Sequence, residues 1–94
     1  MIVNSNFFER KIEEYRQTEM FMILNSKEKH YYLNNYIFLL LIDIVKSNTS
    51  LNIEDLNISA YLTKVYDQIL DCRIKNKDFI IKISDDDIVF EVVD

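Results

Sequence analysis

The sequence predicts an α+β fold in one domain spanning residues 1–94, and three observations carry that prediction. Apolar residues recur at helical spacing in three segments, about 6–24, 27–46 and 58–75. The middle segment contains Tyr36 to Ile42, YIFLLLI, whose one polar group is a tyrosine hydroxyl, so this helix is expected at the centre with the rest of the chain enclosing it. From Asp78 the helical period gives way to alternation, which predicts a C-terminal antiparallel β-hairpin at about 78–84 and 88–93.

In the first segment Phe8, Ile12, Tyr15 and Ile23 fall on one stripe with Met20 beside them, and Ser5 is the expected N-cap. Arg10 and Glu14 stand at i, i+4. The tail MFMIL suits either a buried last turn or a short strand, and the helix-forming Met and Leu favour helix. Asn25 and Ser26 interrupt the pattern, and Ser26 can cap the second helix. That helix presents Leu33, Tyr36, Ile37, Leu40 and Ile44 on one face and Phe38, Leu41 and Val45 on the next, so two neighbours are needed to cover it. SNTSLN at 47–52 reads as a turn, Asn52 and Asp55 have capping-box spacing, and 53–57 suits a short helical turn. In the third segment Ile58, Leu62, Val65, Ile69 and Cys72 form the apolar stripe, opposite Lys64, Asp67, Asp71 and Arg73. In the hairpin Phe79, Ile81, Ile83, Ile88, Phe90 and Val92 share the face expected to pack on the helices. Two strands alone are marginal, so the hairpin edge predicts a further strand from a second copy, giving a homodimer, or from a partner.

Several function classes are excluded by composition. The chain has no glycine, so a phosphate-cradling loop of the Walker or dinucleotide type cannot form. It has no proline either, so positive-φ turn positions must fall to Asn and Asp. Cys72 is the one cysteine, which rules out an internal disulfide and points to the reducing cytoplasm. His30 is the one histidine, so neither a soft-metal site nor a named nucleophile and base pair can be assembled, and no cofactor or enzymatic activity is expected. Asp85, Asp86 and Asp87 lack the glycine and terminal glutamate of a calcium loop and read as the hairpin turn. No apolar run reaches the about 20 residues a membrane helix needs, and the N-terminus has no secretory pattern, so no membrane association is expected.

Charge is unevenly placed along the chain. Residues 1–30 hold five basic and five acidic residues, while residues 31–94 hold six basic and eleven acidic, so the net charge of -5 belongs to the later part. The acidic third helix and hairpin, with Asp67, Asp71, Asp85, Asp86 and Asp87, are candidates to dock on a basic protein surface. Tyr31 and Tyr32, in a cluster with Tyr36 too dense to point wholly inward, are candidate partner contacts. Small size, acidity, AT-rich residue usage and missing chemistry together predict a protein-binding inhibitor or immunity-type protein of a phage or mobile element, acting on a nucleic-acid-handling or defence protein. From Tyr31 onward the element order resembles a winged helix-turn-helix, which makes a transcriptional regulator or dimerisation domain the alternative. Direct nucleic-acid binding is disfavoured, because Ser59 to Leu70 carries one lysine against one aspartate and the wing tip would be SDDD.

Overall fold

A computed structural model describes all 94 residues. The element order is β1 (Ile2–Asn4), α1 (Ser5–Arg16), α2 (Glu19–Met22), α3 (Ser26–Asn48), α4 (Leu56–Ile74), β2 (Asp78–Ile83) and β3 (Ile88–Val93). The fold is α+β, with an antiparallel three-stranded sheet in the order β1-β2-β3.

The third strand comes from the chain itself. Ile2, Val3 and Asn4 pair with Lys82, Ile81 and Ile80, and the ladder continues where the Ile83 amide donates to the Met1 carbonyl at 2.8 Å. The marginal hairpin is thereby stabilised on its β2 side, and its remaining unpaired edge is β3. The register sets Phe79 opposite Val92, Ile81 opposite Phe90 and Ile83 opposite Ile88, so these six share the inner face. Phe79, Ile81, Ile83 and Ile88 are buried, Phe90 is half-buried, and Val92 near the strand end is exposed.

The expected helix over 6–24 is broken at Thr18, which is extended (φ -72°, ψ 144°). Its hydroxyl donates to the Tyr15 carbonyl at 2.7 Å and accepts from the Phe21 amide at 3.3 Å, so one side chain closes α1 and caps α2. The change of direction rotates the apolar set. Phe8 and Ile12 stay in the core, but Ile23 is 83% exposed and Met20 59%, leaving Phe21 as the buried residue of α2. Caps also lie one residue earlier than the sequence suggests: Asn4 caps α1, and Asn25 with Glu28 forms a capping box on α3. Arg10 makes no ion pair with Glu14; Lys11 does, at 3.8 Å and in an exposed position that contributes little.

α3 spans 23 residues, about 35 Å at 1.5 Å rise per residue. α1 and α4 both pack against α3 and against β2, so they take the sheet and only part of the α3 surface. Tyr15 of α1 stacks on Tyr36 at 4.2 Å, and Phe38 meets Tyr66 of α4 edge-on at 5.1 Å. Leu33, Ile37, Leu41, Ile44 and Val45 are buried, but Leu39 is 56% exposed, so the apolar run is not fully enclosed. The 17 buried residues, all apolar, form one cluster.

Between α3 and α4 the expected short helical turn over 53–57 is a single turn at 53–54, closed by the Asp55 amide on the Asn52 carbonyl at 3.1 Å, and residues 56–57 already belong to α4, so no separate middle helix of a winged order forms. Asn52 accepts from the Glu54 amide, and Asp55 is itself the α4 N-cap, accepting from Asn57 and Ile58. At the other end of α4, Asn76 takes the left-handed conformation (φ 54°) that glycine would otherwise supply. The Lys77 amide bonds the Cys72 carbonyl at 2.8 Å and the Asn76 amide bonds Arg73 at 3.2 Å, the Schellman pattern that stops the helix before β2.

Candidate functional site

The acidic residues singled out from sequence come to lie in two places. The hairpin turn Ser84–Asp87 closes with the Ser84 amide donating to the Asp87 carbonyl at 3.0 Å, and the Ile88 amide donates to the Asp87 carboxylate at 2.9 Å. The turn is tied to the loop that follows α3. Ser50 donates its amide to the Asp85 carbonyl at 2.8 Å and its hydroxyl to the Asp85 carboxylate at 2.9 Å. From α4, Tyr61 donates its hydroxyl to the Ile88 carbonyl at 2.6 Å. These three links join residues 49–55, the hairpin tip and the start of α4 into one end of the molecule.

That end gathers Glu54, Asp55, Asp85, Asp86 and Asp87, all exposed, and neither 49–55 nor 84–87 contains a lysine or arginine. Burial raises the pKa of the Tyr61 phenol first, and the Asp87 carboxylate raises it further; on the strand side of the tip the Met1 ammonium donates to the Ile83 carbonyl at 2.9 Å, and Lys82 lines the same depression as Asp87. Leu56, the first residue of α4, is 85% exposed and stands directly after Glu54 and Asp55. The arrangement is an apolar side chain set among carboxylates, on a surface fixed by hydrogen bonds.

Asp67 and Asp71 are exposed on the solvent face of α4, a turn apart, and away from the tip by about 18 Å of helix measured from Asp55 to Asp67. Asp71 is partly neutralised by Lys75 at 3.0 Å. Tyr31 and Tyr32 are 68% and 41% exposed and meet edge-on at 5.4 Å. They lie in the first third of α3, about 25 Å along the helix from Asn48, so they and the acidic end cannot belong to one small contact patch.

Reactive groups are few and separated. Cys72 is 3% exposed within the core stripe of α4, and burial, followed by the neighbouring Asp71, pushes its thiol pKa up, so the protonated form is favoured. No group of three or more His, Cys, Asp or Glu side chains is placed to hold a metal ion. No helix is long and apolar enough to cross a membrane.

A surface that the sequence reading did not single out lies at the head of α3. Arg16 from α1 and Lys29 and His30 from α3 flank an apolar floor there. The charge count over residues 1–30 balances to zero and so conceals it. The chain matches no protein-family model, and no curated protein or solved structure is detectably similar to it.

Proposed function

We propose that the chain is a non-enzymatic protein-binding module whose acidic end docks on a basic surface of a nucleic-acid-handling or defence protein, as a small inhibitor or immunity-type protein of a phage or mobile element. The observation that supports it is the gathering of five carboxylates, with no cation in either contributing segment, on a tip held by Ser50 and Tyr61. A predominantly acidic surface steers a basic partner into encounter and repels acidic ones. Holding the carboxylates in place before binding reduces the ordering cost of association. Leu56, exposed beside them, supplies the apolar anchor that charge alone lacks. The mobile-element origin rests on small size and AT-rich composition.

The test is capture from a bacterial lysate on the tagged chain, followed by a salt gradient and, separately, by competition with duplex oligonucleotide. Screening falls from about 10 Å at 0.1 M to about 3 Å at 1 M salt, so a basic partner is expected to elute early and to be displaced by the oligonucleotide. A partner that stays bound in high salt and ignores the competitor would contradict an acidic docking surface.

A further inference from the structure

We propose that the groove at the head of α3 takes an acidic peptide segment of a partner protein, with carboxylates against Arg16 and Lys29 and an apolar side chain on the floor between them. This is a second binding surface, independent of the acidic end and remote from it.

Two depressions, of about 430 and 380 Å³, share Arg16, His30 and Leu33 and so adjoin along the head of α3. Their floor is Phe21, Leu33 and Leu70, drawn from α2, α3 and α4. No acidic residue lines them, although the chain carries 16. Four basic side chains do: Arg16, Lys29, His30 and Arg73. Arg73 is already held by Glu9 at 2.7 Å, whereas neither Arg16 nor Lys29 is in an ion pair within the chain. The Lys29 ammonium stands 5.7 Å from the Phe21 ring centroid, which keeps the charge beside the floor.

Charge complementarity selects the occupant. Unpaired cations on the rim call for anions, and the apolar floor calls for a ligand that alternates charge with hydrophobic surface. Both depressions are partly open to solvent, whereas small-ligand sites enclose most of their ligand, so a peptide segment fits better. In an extended peptide residues two apart face the same surface, so a glutamate two residues from an apolar side chain reaches the rim while the apolar side chain meets the floor. A nucleic-acid backbone offers charge at every residue and needs a longer row of cations than two, on a chain whose net charge of -5 repels it.

The experiment is an amide chemical-shift titration of the intact chain with three probes: a short peptide in which glutamate and phenylalanine stand two residues apart, the same peptide with lysine replacing glutamate, and single-stranded oligothymidylate. The acidic peptide is expected to shift the amides of Arg16, Phe21, Lys29, His30 and Leu70 saturably, and the lysine peptide to leave them in place. Arg16→Glu with Lys29→Glu should weaken the acidic peptide by about tenfold or more, and the neutral pair Arg16→Gln with Lys29→Gln by less. Unchanged shifts remote from the groove report that each variant folds, and Asp86→Lys should not weaken the peptide. The proposal is overturned by no response at these amides, by an equal response to the lysine peptide, by tighter binding of oligothymidylate at the same residues, or by undiminished affinity in the Glu variant.

Discussion

The acidic end and the cationic groove acquire opposite charge by different routes. At the acidic end, runs adjacent in sequence supply the carboxylates: Asp85 to Asp87 in one turn and Glu54 with Asp55 in one loop, joined by hydrogen bonds from Ser50. In the groove, Arg16 ends α1, Lys29 and His30 open α3 and Arg73 closes α4, so the charge exists only after three helices have packed. The first surface depends on a few polar links near solvent, and the second on the hydrophobic core. Perturbing one type of interaction should therefore alter one surface and spare the other.

Phe21→Ala should have the largest effect on stability. Phe21 is 6% exposed, packs on Tyr15 at 5.1 Å and forms the groove floor, so its truncation is expected to cost about 3 kcal/mol in denaturant unfolding. Amide shifts should move around Tyr15, Lys29 and Leu33 while the hairpin tip keeps its positions; displacement of both ends together would show that they are not separable.

Next is Asn25→Ala, which removes the capping box at the start of α3 and should cost about 1 kcal/mol. Faster amide exchange is expected over the first turn of α3, beside the groove, with none at residues 84–88. Ser50→Ala is the mirror experiment at the acidic end. It deletes the exposed hydroxyl bond to Asp85, for about 0.5 kcal/mol, and should raise the mobility of the tip without changing the groove.

How far these two surfaces were legible in sequence follows from the same contrast. The three helical segments, the hairpin and its inward face were readable because each is a local period. The break at Thr18 was not, since apolar residues continue across it and only the hydroxyl's two bonds reveal the cap. β1 was missed because three residues are too few to show alternation, and its pairing with β2 joins the two ends of the chain. The acidic tip could be seen in the string SDDD, whereas the groove could not, because its cations are dispersed among acids in sequence and meet only in space.

The smallest effect is expected in alkali. Tyr36, Tyr61, Tyr66 and Cys72 all have raised pKa values, with burial the largest cause in each. Folding favours their protonated forms, so this contribution is complete below the ordinary values of 9.0 for Cys72 and 10.0 for the tyrosines, and is lost as pH rises through the raised folded values. Asp87→Asn should bring the titration of Tyr61 closer to its ordinary value and leave that of Tyr36 unmoved, because Glu14 and Tyr15 are the neighbours acting on Tyr36. A residue-resolved NMR titration of the tyrosine ring signals in the unaltered chain and in Asp87→Asn reads this directly.

Capture from one bacterial lysate on three baits tests the docking role of the acidic end most directly: the unaltered chain, Asp85→Lys with Asp86→Lys and Asp87→Lys, and Arg16→Glu with Lys29→Glu. A basic protein held by the first and third baits and lost from the second is the expected result, with thermal unfolding used to show that the second bait is folded. The same protein held equally by all three would contradict docking through the acidic end.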